Sequence, residues 1–156
     1  MSEREYRAAL GAYATGVAVV TAGTEAEGFA GITINSFASV SLKPRLILWS
    51  LGDQSERYDQ FAATERFGVS FLGADQKETA ALCSKQGEQE LADEHVEMLS
   101  GSPVLKKALT RLACRTFDKR VLGDHLVIVG EVLAFDTHGG DGLTYFRSAY
   151  GKAKTP

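Results

Sequence analysis

The chain is poor in everything that would tie it down from outside. Its 156 residues include two cysteines, three prolines and one tryptophan, and its formal charge at neutral pH is −3. Cys83 and Cys114 are too few for a disulfide framework, so a reducing cytoplasm is the expected setting. Charges of both signs are scattered, which builds no field for nucleic acid or for an anionic membrane surface. The longest apolar run, Val17 to Ala22, falls far short of the roughly 20 residues of a membrane span. No basic and then apolar leader precedes a small-residue cleavage site, so export is not expected. His95, His125 and His138 lack ligand spacing and the cysteines lie far apart, which argues against a metal centre. Gly-x-Ser-x-Gly and Gly-x-Gly-x-x-Gly are both missing. A hydrolase elbow and the usual dinucleotide phosphate loop therefore drop out.

What is present is a chain of ordinary composition, 44% hydrophobic and 24% charged, with 16 glycines. The length suits one domain over residues 1–156, with a real core and many tight turns. Ser2-Glu3-Arg4-Glu5 has the spacing of a capping box, and Tyr6, Leu10 and Tyr13 share one helical face, so a short helix packing on the core is expected there. Val17–Ala22 reads as a strand buried on both faces, and the polar turn Glu25–Gly28 makes Phe29–Asn35 its hairpin partner. Arg45–Leu51 is a further strand, and the pattern Tyr58, Phe61, Ala62 predicts a helix with Ser55 as its N-cap. Phe67–Leu72 alternates as a strand, and Asp75 is the expected cap of a helix bearing Thr79, Leu82 and Cys83. Ser84–Ser102 reads as an exposed loop or short helix, serving as a lid or subunit contact. Strands from near Leu112 to Val121, Leu126 to Phe135 and Leu143 to Phe146 complete the chain. Gly130 in mid-strand signals a bulge or a close backbone approach, and Cys114 reads as a small buried residue rather than a nucleophile. The expected fold is mainly β: about six or seven antiparallel strands in a small closed barrel, with two or three short helices.

The unusual stretch is Gly31–Pro44. Its strand presents Thr33, Asn35 and Ser36, short side chains that pack poorly on a pleated surface but hydrogen-bond well. Ser39, Ser41 and Lys43-Pro44 then end the extended run. Such a rim suits a flat ring with polar edges, although an ordinary Ser/Thr-rich turn would look the same. Gln54, Ser55 and Arg57 precede a predicted helix, whose N-terminus would favour a phosphate. Arg45, Lys85 and Arg147 are further cations that could meet a nucleotide. Gly123-Asp124-His125 throws an imidazole up at the mouth of the longest strand.

Five segments occur in order: Thr15-Gly16-Val17-x-Val19-Val20-Thr21, then Thr33-Ile34-Asn35-Ser36-Phe37-x-Ser39-Val40-Ser41-Leu42-x-Pro44, then Gly123-Asp124-His125, Gly130-Glu131-Val132 and Tyr145-Phe146-Arg147-x-x-Tyr150. Together they resemble the short-chain flavin reductases, the reductase components of two-component flavin-dependent monooxygenases. The resemblance spans nearly the whole chain. It departs at Gly142-Leu143, where members often carry Pro-Leu, and at the acidic stretch Glu88 to Glu97.

The resemblance implies an FMN-binding split barrel, a homodimer, and hydride transfer from NADH or NADPH to FMN or FAD, with reduced flavin passed to a partner oxygenase. By the same resemblance Thr33, Asn35 and Ser36 would flank the flavin ring, with Ile34 and Ser39 as further cofactor-binding residues. Ser50, Gln54 and Ser55 would hold its ribityl chain and phosphate and Tyr150 would lie by the ring, with Arg57 and Phe146 as further cofactor-binding residues. His125, as the catalytic-site residue, would position the nicotinamide. The rival expectation is a flavin- or haem-binding split barrel without turnover, acting as a carrier or sensor.

Overall fold

The computed structural model describes residues 1–85 and 90–156. Its first element, α1 (Glu3–Leu10), carries the expected capping box: Ser2 Oγ accepts the Glu5 N–H at 3.1 Å and the Glu5 carboxylate accepts the Ser2 N–H at 2.6 Å. The two bonds satisfy donors that a helix start leaves orphaned. The expected core packing of this helix is not found. No residue of α1 is buried, and Tyr6, Leu10 and Tyr13 are 62%, 56% and 80% exposed. The helix hangs on the outside by its ends, with Gly11 O accepting the Arg147 N–H at 2.8 Å.

The strands follow as β1 (Thr15–Gly16), β2 (Ala18–Thr24), β3 (Gly28–Ile34), β4 (Ala38–Leu42) and β5 (Arg45–Gly52). After α2 (Tyr58–Ala63) come β6 (Arg66–Phe71), α3 (Lys77–Ser84), β7 (Glu90–Leu91), a 3-10 turn at Asp93–His95, β8 (Val96–Leu99) and β9 (Ser102–Leu105). The chain closes with the long pair β10 (Thr110–Leu122) and β11 (His125–Thr137), then β12 (Gly142–Phe146) and β13 (Ala149–Ala153). Among the described residues the protein is thus mainly β with three α-helices. Eight strands hydrogen-bond in the order β4-β5-β11-β10-β6-β2-β3-β7, all antiparallel. Smaller sheets join β1-β12-β13 and β8-β9. The expectation of six or seven strands is too low, because short edge pieces such as β4 and β8 carry little apolar periodicity. Among the described residues the main ladder runs from β4 to β7 with no pairing that joins these edges.

Two apolar clusters form the interior. The larger gathers Ala18, Ile34, Trp49, Phe61, Phe67 and Ile128, with Trp49 meeting Phe61 and Phe67 edge-on at centroid distances of 5.9 and 6.1 Å. The smaller brings Val17, Phe29, Cys83, Leu91 and Val96 together. Leu91 and Val96 correct the reading of residues 84–102 as an exposed loop: each is only 5% exposed and packs under α3. Of that segment, residues 86–89 lie outside the described residues. Cys114 is fully buried as expected.

Gly130 meets both expectations placed on it. A Cβ there would stand 2.6 Å from Phe67 Cζ, and the β10–β11 register slips beside it, between Thr116 and Asp118. Neither expected serine or aspartate cap is used. Helix α2 starts at Tyr58 with no side-chain cap, and Ser55 Oγ instead accepts the Arg57 N–H at 3.3 Å. Asp75 pairs with Lys107, while Gln76 at the start of α3 accepts the Gly73 N–H at 2.9 Å and donates to Lys107 O at 2.7 Å.

Candidate functional site

One groove collects most of the polar residues singled out in the sequence. About 340 Å³ in volume, it is lined by Thr33 of β3, by Gln54, Ser55 and Arg57 between β5 and α2, by Cys83 to Lys85 at the end of α3, and by Asp124 and His125. Its floor follows from β5–β11 pairing, which sets His125 opposite Gly52. Gly123 at φ +63° makes the tight turn that an L side chain would strain. The Asp53 N–H donates to Asp124 O at 3.0 Å and locks that turn to the 52–55 loop. His125 Nδ1 lies 2.7 Å from Asp124 Oδ1, and a methyl group at Gly52 would stand 3.6 Å from Nε2. Nδ1–H donation to Asp124 therefore leaves Nε2 toward the groove. The His125 hydrogen bond, chiefly, holds the Asp124 carboxyl below its ordinary range.

The opposite wall is α3, seated on β3. A Cβ at Gly31 would fall 2.7 Å from Leu91 Cδ1 and 3.0 Å from Cys83 Sγ, so only glycine lets the helix come this close. The Thr33 hydroxyl donates to Ala80 O at 2.7 Å. Arg57 reaches across from the other side, its Nη1 donating to Cys83 O at 3.1 Å and its Nη2 to Lys85 O at 2.5 Å. Burial pushes the Cys83 thiol up to about 11, partly offset by the Arg57 charge, which makes it a poor nucleophile near neutral pH.

A second cleft of about 380 Å³ borders the same end of β3. Ile34 and Asn35 line it, with Tyr13, Thr15, Val17, Phe37, Phe71 and Leu143. Phe37 and Phe71 meet edge-on at 4.8 Å. The Thr15 hydroxyl is buried here with no hydrogen-bond partner among the described residues, and Asn35 is exposed. Residues 32–33 thus face the polar groove and residues 34–35 the apolar cleft.

The remaining expected residues fall outside both cavities. Ser36 Oγ accepts the Ser50 N–H at 3.0 Å and lies 3.4 Å from Ser50 O, so these two serines face each other. Ser39 is exposed on β4, opposite Ile47. Phe146 is exposed with Arg147 over its ring at 5.3 Å, and Tyr150 packs on Tyr145 at 5.4 Å. The helix-terminus argument for a phosphate at Ser55 is corrected too, since α2 begins three residues later and is one and a half turns long. Two lining residues gave no clear signal in the sequence. Thr15 enters only as part of the first of the five segments and Arg7 not at all, yet Thr15 lines the cleft and Arg7 stands at the groove beside Asp124.

The flavin reductase like domain model matches residues 10–154. The chain belongs to that family. FMN reductase (NADH) SmoA of Agrobacterium fabrum is 41% identical over 157 residues, covering 97% of this chain and 86% of that protein. The reductase component of the flavin-dependent trigonelline monooxygenase of Acinetobacter baylyi is 34% identical over 148 residues; the match covers 94% of this chain but 48% of that protein, so this chain spans about half its length. Among solved structures, the styrene monooxygenase flavin reductase of Pseudomonas putida S12 superposes with a TM-score of 0.87 at 32% identity, covering 97% of this chain and 99% of the other. With flavin reductases as relatives, the groove and the cleft are the natural places to test for a flavin and a nicotinamide.

Proposed function

We propose that this protein is an NADH-dependent flavin reductase that delivers reduced flavin to a separate oxygenase. The observation that carries the reading is the groove itself, where the His125 imidazole and the hydrogen-bonding groups of Gln54 and Ser55 share one space with Thr33. The donor set fits the group. Arg7 and Lys85 bring positive charge for a phosphate, and the cleft beside Asn35 offers apolar walls with one buried unpartnered hydroxyl, Thr15, suited to a flat ring with a polar edge. Relatives named as NADH-dependent reductases and as monooxygenase reductase components support NADH as donor and an oxygenase as recipient.

A bound flavin supplies the hydride-accepting ring, and the chemistry belongs to it and to the nicotinamide. The protein's share is orientation. Asp124 fixes the His125 ring through Nδ1, so that Nε2 can hold a carboxamide or ribose of the dinucleotide without serving as an obligatory acid. Gln54, Ser55 and Ser50 are the proposed partners of the ribityl chain and phosphate. Ile34, Asn35, Ser36 and Ser39 are the proposed partners of the ring edge, with Phe146 and Tyr150 contributing from the outer sheet.

The same reading includes a sheet curled into a split barrel and a homodimer in a reducing cytoplasm. The short link over residues 35–37 supports the curl, because it carries the chain from β3 near one edge of the eight-strand ladder to β4 at the other, a reach a flat sheet would not allow. The outward Tyr6, Leu10 and Tyr13 of α1 and the 87% exposed Leu42 support a partner surface. Oxidation of NADH and NADPH, followed by absorbance with and without FMN or FAD, tests the function. Saturable oxidation that requires added flavin is the expected result. Flavin binding without turnover would overturn it in favour of a carrier or sensor.

A further inference from the structure

We infer that Arg57 and Thr33 are positioning residues: they set the width of the His125 groove by clamping helix α3, and they do not grip the flavin phosphate. The inference rests on the flavin reductase reading and changes the role of two of its residues. An α-helix leaves its last carbonyls without partners, and its C-terminal end carries partial negative charge. Helix α3 ends at Ser84 with Lys85 as its C-cap, and among the described residues the backbone cap bond is a long one, Lys85 N–H to Leu82 O at 3.4 Å. Arg57 answers that deficit. Its planar fork places one N–H on Cys83 O and another on Lys85 O, 26 and 28 residues along the chain. Thr33 holds the preceding turn by its bond to Ala80 O, 47 residues away, beside the Gly31 notch that admits the helix.

These contacts tie the two walls of one groove to each other. Cys83, Ser84 and Lys85 form one side, and the 52–57 loop with Asp124 and His125 forms the other. A phosphate on Arg57 would compete with the carbonyls of a helix C-terminus, whose dipole already favours the guanidinium where it is. A ligand in the groove instead meets a wall whose distance from His125 the two residues fix. Loosening either one widens the site for any flavin, with or without a phosphate.

Riboflavin and FMN distinguish the roles, because they differ only in the phosphate. Dissociation constants for both are read from quenching of flavin fluorescence, in wild type and in Arg57→Lys, Thr33→Val and Thr33→Ser, well below each thermal midpoint. Arg57→Lys keeps the charge and loses the fork; Thr33→Val keeps the shape and loses the donor. The expected result is an equal rise for FMN and riboflavin, about fivefold to tenfold in Arg57→Lys and in Thr33→Val, with Thr33→Ser restored to wild type. KM for flavin should rise by the same factor, while kcat at saturation stays within about twofold. The inference is overturned if Arg57→Lys binds both flavins as wild type does, or if FMN weakens while riboflavin does not. Wild-type protein that binds neither flavin would instead defeat the functional reading itself, before any variant is compared.

Discussion

Ser36, in the short link from β3 to β4, faces Ser50 of β5, and its Oγ accepts the Ser50 N–H at 3.0 Å. The bond extends the β4–β5 ladder beyond Ala38 and Leu48, next to residues that face both cavities. Removing the hydroxyl leaves a half-buried N–H without that acceptor, which costs about 1 kcal/mol. Ser36→Ala should therefore lower the urea midpoint without changing the slope, and weaken flavin binding as the β3 exit loosens. An unchanged midpoint together with unchanged flavin affinity would mean that the contact holds nothing.

His125 is held from two sides, by the Asp124 carboxylate and by the lock between Asp53 and Asp124 O. Its substitution should act on the dinucleotide. We expect His125→Ala to raise KM for NADH about tenfold while flavin affinity shifts less than about twofold. Asp124→Asn keeps a hydrogen-bond acceptor but loses the charge, so its KM should fall between those of wild type and His125→Ala. Steady-state kinetics beside direct flavin titration separates the two ligands. Loss of flavin with a normal NADH KM would remove His125 from its assigned place.

Acid sensitivity should concentrate at Arg111. This side chain is nearly buried; its Nε donates to Asp136 Oδ1 at 2.9 Å, its Nη2 pairs with Asp136 Oδ2, and its Nη1 pairs with Glu97. The Arg111 hydrogen bond keeps the Asp136 carboxyl below its ordinary range. A carboxyl depressed on folding stabilises the native state above its unfolded pKa of about 3.9, and that stabilisation fades as pH falls through the lower native value. Urea unfolding of wild type should thus lose stability below about pH 4. Asp136→Asn should already be less stable at pH 7, by about 2 kcal/mol, and lose less on acidification. Parallel pH curves for the two proteins would exclude Asp136 as the responsive group.

Legibility from sequence followed apolar periodicity. The apolar runs of β2, β5 and β11 and the capping box of α1 announce themselves, because burial and local hydrogen bonds impose a period. Strand β4 does not: Ser39, Val40 and Ser41 are exposed or half-exposed at a sheet edge, where neither face selects for apolar residues. Leu91 and Val96 were hidden among acids, since two buried side chains under α3 make too short a pattern. At the site, the sequence identified which side chains can hydrogen-bond but not with what. Thr33, Ser36 and Arg57 each bind a backbone group far along the chain, and only the fold brings those groups near.

The two cysteines give the last prediction. Cys83 lies on the buried side of α3 at the groove wall and Cys114 in the buried part of β10; burial pushes their thiols up to about 11 and about 12. The thiolate is the reactive form, so at pH 8 both should resist alkylation in the folded protein. Iodoacetamide followed by mass measurement should leave native protein unlabelled over an hour and label both sites after urea unfolding. Flavin binding should slow labelling of Cys83 further, as it opposes opening of the α3 wall, and leave Cys114 as it was. Rapid labelling of Cys83 in the native protein would show that α3 lifts from β3 far more often than the Gly31 notch and the Thr33 bond imply.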